Sequence, residues 1–358
     1  MARRRNGCRK YFQSLLTILF FAGLLTAGGG YFFWRALTFP YKGYPEPLKD
    51  VEVRKGQRTA IILRQLREAG VLRDEYVPLV YIKIFRYGES IKAGIYEFSR
   101  PTSAADVVEK LIRGDVALKS VTVREGLDRF AVGRIFVADG FGRPAVWDAL
   151  TADPELIRDL APQAKTLEGY LFPDTYKFGP GTPPKTIVQA MVQNFRKHFG
   201  PQMGYITTSL NLHQTVTLAS IVETEAKLPQ ERPLVASVYL NRLNRHMLLG
   251  ADPTVIYALK LANRWDGNIH KADLQIDSPY NTYRFPGLPP GPIANAGLAS
   301  LSAAAAPAKT AFLYFVARHD GSHAFATNIE EHNRNVQQFQ VQWYRDQRTA
   351  TASSTAPK

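Results

Sequence analysis

The chain has 358 residues, a formal net charge of +14 and a single cysteine. That length allows about two folded domains plus appendages, and one cysteine excludes a disulfide-built scaffold. Five of the positive charges (Arg3, Arg4, Arg5, Arg9 and Lys10) crowd into the first ten residues with no acid among them.

Tyr11 to Trp34 follows with no charged residue and only Gln13 as a strongly polar interruption. As a helix this run spans roughly 30 Å of hydrocarbon, and its basic flank places the N-terminus in the cytoplasm with the remainder outside. Phe32, Phe33 and Trp34 before Arg35 resemble an interfacial belt. A cleaved signal peptide is the rival reading. Thr26-Ala27-Gly28 offers small residues, but the apolar run continues past them, which favours an uncleaved anchor. No cysteine follows the small residues, which argues against a lipoprotein, and Cys8 falls on the cytoplasmic side. The exported part must therefore be held together by its core. Its positive excess suits an anionic polymer or a lipid surface, and no basic helix or aromatic-basic platform argues for nucleic acid.

Residues 35–48, with Pro40, Pro45 and Pro47, read as a linker. A compact α+β unit is expected over 49–118. Its strands are Val51–Val53 and Ile91–Phe98. A helix over Thr59–Ala69 closes at Gly70, a second runs Asp74–Phe85, and a third is capped by Ser103 with Asp106 at the capping-box position and Gly114 at its end. The stripe of this third helix is Val107, Val108, Leu111 and Ile112. No cluster of titratable groups falls in this unit, which points to binding rather than catalysis. Lys119–Val123 reads as a strand opening a mainly helical domain over 119–345. Thr182 and Pro183 start a helix to Phe199, Leu234–Leu243 is another, and Asp252 caps a third that runs to Leu259. Phe312–Ala317 and Ser322–Ala326 form a hairpin around Asp320-Gly321. The Thr-, Ala- and Ser-rich tail over 346–358 reads as disordered.

Thr217 to Ala226 is the stretch around which the second domain is organised. Val216, Ala219, Ser220 and Glu223 share a face at helical spacing, while Leu218, Ile221 and Val222 cover the other side, so the helix reads as buried nearly all round. An acid in such a place is poised to donate a proton, because burial disfavours the charged form. Glu225 cannot pair closely with it, since i,i+2 side chains diverge. The plainer alternative is that Glu223 ends its helix solvated, or salt-bridged to Arg232 or Arg242.

Three polar-aromatic stretches accompany it: Leu167–Tyr176, Ser278–Tyr283 with Gly287–Ile293, and His323–Phe325 with Glu331–Asn333. Aromatic faces beside amides and acids suit a sugar groove, though any one ring can equally fill core. The candidate substrate contacts are Glu168, Tyr170, Phe172 and Asp174 from the first stretch, Asn281 and Tyr283 from the second, and His323 from the third. Glu225 and Asp252 join them beside the acid, although helix capping alone accounts for Asp252. Glu231 and Arg232 read as a solvated pair of little worth. His319 and His323 have metal-like spacing, but a turn lies between them and no third ligand is near, so no metal and no cofactor is expected.

With Ile221-Val-Glu223 and Asp252-Pro-Thr-Val-Ile-Tyr257, these stretches resemble the endolytic murein transglycosylase (YceG-like) family over nearly the whole chain. The match departs at Thr224, often Lys in the family, and at Gly250-Ala251, usually a Gln with a small polar residue. The resemblance implies an N-terminal transmembrane anchor in a bacterial inner membrane, a LysM-like subdomain over 49–118, and a periplasmic catalytic domain with Glu223 as its acid. It implies a lytic enzyme that cuts the MurNAc–GlcNAc β-1,4 bond of nascent peptidoglycan to leave 1,6-anhydro ends and so ends strand elongation. The implied partners are glycan strands, the cytoplasmic membrane and glycan-polymerising synthases. The alternatives are an ordinary muramidase and a catalytically silent wall-binding scaffold of the synthesis machinery.

Overall fold

The computed structural model describes residues 4–343 and 345, with side chains from residue 15 onward. The side chains of the basic tail and of Cys8, and the tail over 346–358, lie outside the described residues. The fold is α+β and divides into two compact units, Met1–Lys119 with Gly179–Gly181, and Ser120–Phe178 with Thr182–Lys358.

The first unit opens on α1 (Arg4–Thr38), within which Leu15–Thr38 is long and apolar enough to cross a membrane. The helix outlasts the expected span by one turn. Between Gly30 and Pro40 the chain has neither glycine nor proline, and Pro40 disfavours helical geometry at Phe39. Beyond it, the residues expected as a spacer are bonded to the unit. Tyr41 and Thr102 exchange backbone hydrogen bonds at 3.1 Å, the Gly43 N–H donates to Gly70 O at 2.8 Å, and the buried Tyr44 hydroxyl donates to Phe98 O at 2.9 Å.

Strands β1 (Lys49–Val53) and β2 (Gly94–Phe98) pair antiparallel, with Val51 opposite Tyr96. Helices α2 (Thr59–Glu68), α3 (Tyr76–Phe85) and α4 (Ala104–Arg113) complete the unit. The core is built by Val51, Val53, Ile62, Leu63, Leu66, Tyr96, Val107, Val108 and Leu111, the alternation of a strand meeting the stripes of amphipathic helices. Local chemistry sets the ends of α4. The Asp106 N–H donates to Ser103 Oγ at 3.1 Å, and Gly114 takes the left-handed conformation at φ 76°.

The second unit is mainly helical around short two-stranded pairings. Its elements are β3 (Lys119–Thr122), α5 (Arg129–Ala138), α6 (Pro144–Ala152), β4 (Thr175–Phe178), α7 (Pro184–Phe199), α8 (Leu212–Glu225), α9 (Arg232–Asn244), α10 (Asp252–Leu261), α11 (Leu298–Ala305), β5 (Tyr314–Ala317), β6 (His323–Ala326) and α12 (Ile329–Val336). Strand β3 pairs with β4 across intervening helices, and β5 with β6 as the expected hairpin, Ala317 opposite His323. At its centre α8 starts at a capping box made by Asn211 and Gln214, and every residue from Thr215 to Val222 is buried. It packs against α9, α10 and α11. The small buried residues of α11 (Ser300, Ala303, Ala304) permit that close approach.

Candidate active site

Two structural ties bring Glu223 into a defined setting. Ser220, one turn earlier on α8, accepts the Ile293 N–H at 3.0 Å and so fastens the 290s loop to the helix. That loop presents the Gly297 N–H to Glu223 Oε2 at 2.9 Å. From the first turn of α9, Arg232 Nη2 donates to Glu223 Oε1 at 3.0 Å. The acid and the guanidinium are 5% and 10% exposed. Glu223 also forms part of the wall of an open cavity of about 540 Å³ with Arg124, Glu125, Asp174 and Thr175. It is therefore buried in its flanks and open at one side. The setting differs from an apolar pocket that keeps an acid neutral by burial alone. Its two partners are a cation and an N–H donor.

Glu231 and Arg232 are not a solvated pair. Both are buried, and they turn to different partners. Glu231 accepts from the His323 N–H at 3.0 Å, and its other oxygen lies 2.7 Å from His323 Nδ1. His323 is thereby committed to holding the start of α9 against β6, rather than free to meet a substrate. Arg232 has a second carboxylate in reach, Glu125, at 3.5 Å.

A second group of polar side chains gathers beyond Glu223. The Tyr239 hydroxyl donates to Glu225 Oε1 at 3.2 Å. Burial pushes the Glu225 carboxyl up to about 7; Tyr239 and Arg242 oppose that rise, while the charge of Asp252 adds to it. The Tyr283 hydroxyl donates to Asp252 Oδ1 at 2.6 Å. Asp252 is not the helix cap, because Ala251 occupies that position and Asp252 is the first helical residue. Its carboxylate is thus available to Tyr283. Glu225, Asp252 and Tyr283 are therefore brought together, whereas four other candidates are set inside the fold.

Those four are satisfied internally. Both oxygens of Glu168 accept from the Arg129 N–H at 3.0 Å, and the carboxyl also takes Asn295 Nδ2 at 3.1 Å and the Tyr257 hydroxyl at 3.0 Å. Burial nonetheless raises this carboxyl to about 8, with the Asp128 charge adding to the effect. The Tyr170 hydroxyl meets His213 Nδ1 at 2.8 Å in the core. Phe172 is stacked on His198 at 4.6 Å. Asn281 Nδ2 donates to Leu274 O and Ile276 O, at 3.0 and 2.9 Å. Of the candidate contacts in the first stretch, Asp174 alone lines the Glu223 cavity, with its carboxylate held by Asn194 at 2.7 Å.

Sequence reasoning missed Asn295. Its side-chain oxygen accepts the Leu171 N–H at 2.9 Å and its amide donates to Leu127 O at 2.9 Å and to Glu168. Its backbone bridges to Leu127, and its carbonyl accepts the Gly126 N–H at 2.9 Å. It thus fixes the strap bearing Glu125 beside the loop bearing Gly297. No local pattern marks such a residue, since its partners are scattered along the chain.

Residues 51–338 match the YceG-like family. The chain is 30% identical over 332 residues to the endolytic murein transglycosylase of Bacillus subtilis, covering 88% of this chain and 91% of that protein. It is also 30% identical over 357 residues to the endolytic murein transglycosylase of Streptococcus pneumoniae, covering 90% of this chain but 64% of the streptococcal one. A crystal structure of a YceG-like protein from Listeria monocytogenes superposes with a TM-score of 0.55 at 32% identity, over 80% of this chain and 98% of that one. The chain belongs to the YceG-like family, whose named relatives here are murein transglycosylases.

Proposed function

We propose that this protein is a membrane-anchored endolytic lytic transglycosylase that cuts the MurNAc–GlcNAc β-1,4 bond within nascent peptidoglycan strands. One observation carries the reading: the wall of an open cavity contains a carboxyl, Glu223, whose position is set by Arg232 and the Gly297 N–H. Glu223 protonates the glycosidic oxygen as the bond to the muramyl C1 breaks. The carboxylate so formed then takes the proton of the muramyl C6 hydroxyl, whose oxygen closes on C1 to give the 1,6-anhydro end. One acid serves both steps, as in the acid-then-base exchange of retaining glycosidases. A tethered hydroxyl attacks at high effective concentration, so no water nucleophile is required. Asp174, on the cavity wall, and the Asp252–Tyr283 pair supply polar groups for sugar hydroxyls and amides.

The N-terminal helix serves as the anchor. The basic residues before it hold that end in the cytoplasm, and the catalytic unit lies on the periplasmic face of the inner membrane. The unit over 49–118 serves as a LysM-like wall-binding module. Tethering holds the active site near emerging strands and makes the enzyme a terminator of their elongation, beside the synthases that extend them.

Mass spectrometry of products from purified glycan strands tests the reading. The wild-type protein should leave 1,6-anhydro ends, and Glu223→Gln should release no products. Reducing ends would identify a water-adding muramidase, full activity in Glu223→Gln would remove the assigned acid, and a wild-type protein that releases no products would leave a wall-binding scaffold.

A further inference from the structure

Arg232 serves two carboxylates with one nitrogen. Nη2 lies 3.0 Å from Glu223 Oε1 and 3.5 Å from Glu125 Oε2. Both acids also meet at Gly297. Its N–H is bonded to Glu223 Oε2, and a methyl group on its Cα would fall 1.8 Å from Glu125 Oε1. Glu125 therefore occupies a seat that only glycine leaves open. The two acids differ in setting, since the Glu125 side chain is 48% exposed against 5% for Glu223. Among the described residues the buried Nε–H of Arg232 has no hydrogen-bond partner, so the guanidinium is not locked by a full set of acceptors.

We propose that Glu125 is a positioning residue that takes over Arg232 when Glu223 is protonated, allowing Glu223 to work as an acid without leaving a buried cation unpaired. This rests on the catalytic reading of Glu223 given above. The physical reason is the cost of stranding a buried charge after its partner is neutralised. As Glu223 takes a proton from solvent, the guanidinium loses its nearer anion, and a half-Ångström shift in pairing distance brings it fully onto Glu125. When the carboxylate is regenerated the pairing returns. Other charged groups around Glu223 are Arg124 and Asp174 on the cavity wall, Glu225 two residues along α8, and the Glu231–His323 pair behind Arg232. Among the described residues none of these other carboxylates forms an ion pair with Arg232, which leaves Glu125 as the acceptor.

Removing the Glu125 charge has one sign. Arg232 then belongs to Glu223 alone, and a neighbouring negative charge is gone; both favour the Glu223 carboxylate over the acid. The experiment measures kcat/KM for release of anhydro ends against pH, using the full chain in detergent and purified strands, for wild type, Glu125→Gln and Glu125→Asp. The alkaline limb should move down by about one pH unit in Glu125→Gln, with activity retained on its acidic side, and Glu125→Asp should restore the limb. Gly297→Ala, whose methyl displaces the Glu125 carboxyl while keeping the N–H, should reproduce the shift. A superimposable profile, or a uniform loss at every pH, overturns the proposal. Glu223→Gln is run beside them. Its retention of activity would sink the catalytic reading itself, whereas an inactive Glu223→Gln with an unmoved Glu125→Gln profile sinks only the role of Glu125.

Discussion

Arg232 Nη2 lies 3.0 Å from Glu223 Oε1, and neither side chain is more than 10% exposed. A buried pair of this kind is costly to break from one side, because the surviving charge is stranded. Arg232→Met should destabilise the second unit by about 3–5 kcal/mol and lower activity at least tenfold. The double variant with Glu223→Gln should regain much of the lost stability. Denaturant unfolding of the two single variants and the double variant measures the coupling. Additive losses would show that the pair contributes nothing beyond its separate residues.

His323 acts on this pair from behind, through Glu231. His323→Ala removes one partner of a buried carboxylate, a loss of about 1–3 kcal/mol, and loosens the start of α9. The expected signature is a lower kcat with KM little changed, since His323 holds a helix and has no surface left for sugar. A rise in KM alone would instead mark it as a substrate contact.

Two buried carboxyls make stability depend on pH in a defined direction. Glu168 is raised to about 8 and Glu225 to about 7, mainly by burial. A carboxyl whose folded affinity for protons exceeds its unfolded affinity favours the fold at low pH. That advantage is lost as pH rises from its unfolded value, about 4.3, through the folded one. The unfolding midpoint should therefore fall between about pH 5 and pH 8, after allowance for other groups. Glu225→Gln should flatten the slope over the lower part of that window. An unchanged slope in this variant would show that Glu225 does not titrate there.

Gly169 provides a steric test of the fold that holds Glu168. Its φ is +87°, and an added Cβ would lie 2.5 Å from Pro292 Cγ and 2.9 Å from Val216 Cγ1. Gly169→Ala combines a left-handed backbone with overlap against a proline ring, and should cost more than about 2 kcal/mol. A midpoint within error of wild type would mean that the 290s loop gives way freely.

Legibility in the sequence followed the range of the interactions. Ser103 with Asp106, Gly114, and the Asp320-Gly321 hairpin were readable because each acts within a few residues. The buried character of α8 was equally plain from its spacing. Helix α11 was not, since Leu-Ala-Ser-Leu-Ser-Ala-Ala-Ala carries no polar face to give a stripe. Within the candidate site, Glu223 stood out as an acid on an apolar helix. From sequence, Arg232 reads as an alternative partner and as half of a solvated pair with Glu231, because a turn separates it from α8 and residue type alone does not reveal which way it bends. Tyr170 and Asn281 show the opposite limit. Their polar tips suit sugar or core equally, and His213 and the 274–276 carbonyls, which decide for the core, are visible only in three dimensions.

The end of α1 bears on how force and orientation pass along the chain. Leu37 in its last turn is buried, α1 packs against α3 and α4, and Tyr41 is already bonded to Thr102 three residues after the helix stops. There is no swivel where the apolar helix meets the βααβα unit. A tilt of the helix axis is therefore handed on as a rotation of that unit, like a sign fixed rigidly to its post. Under the anchoring proposed above, lipid thickness, by setting the tilt, would steer which way the unit faces.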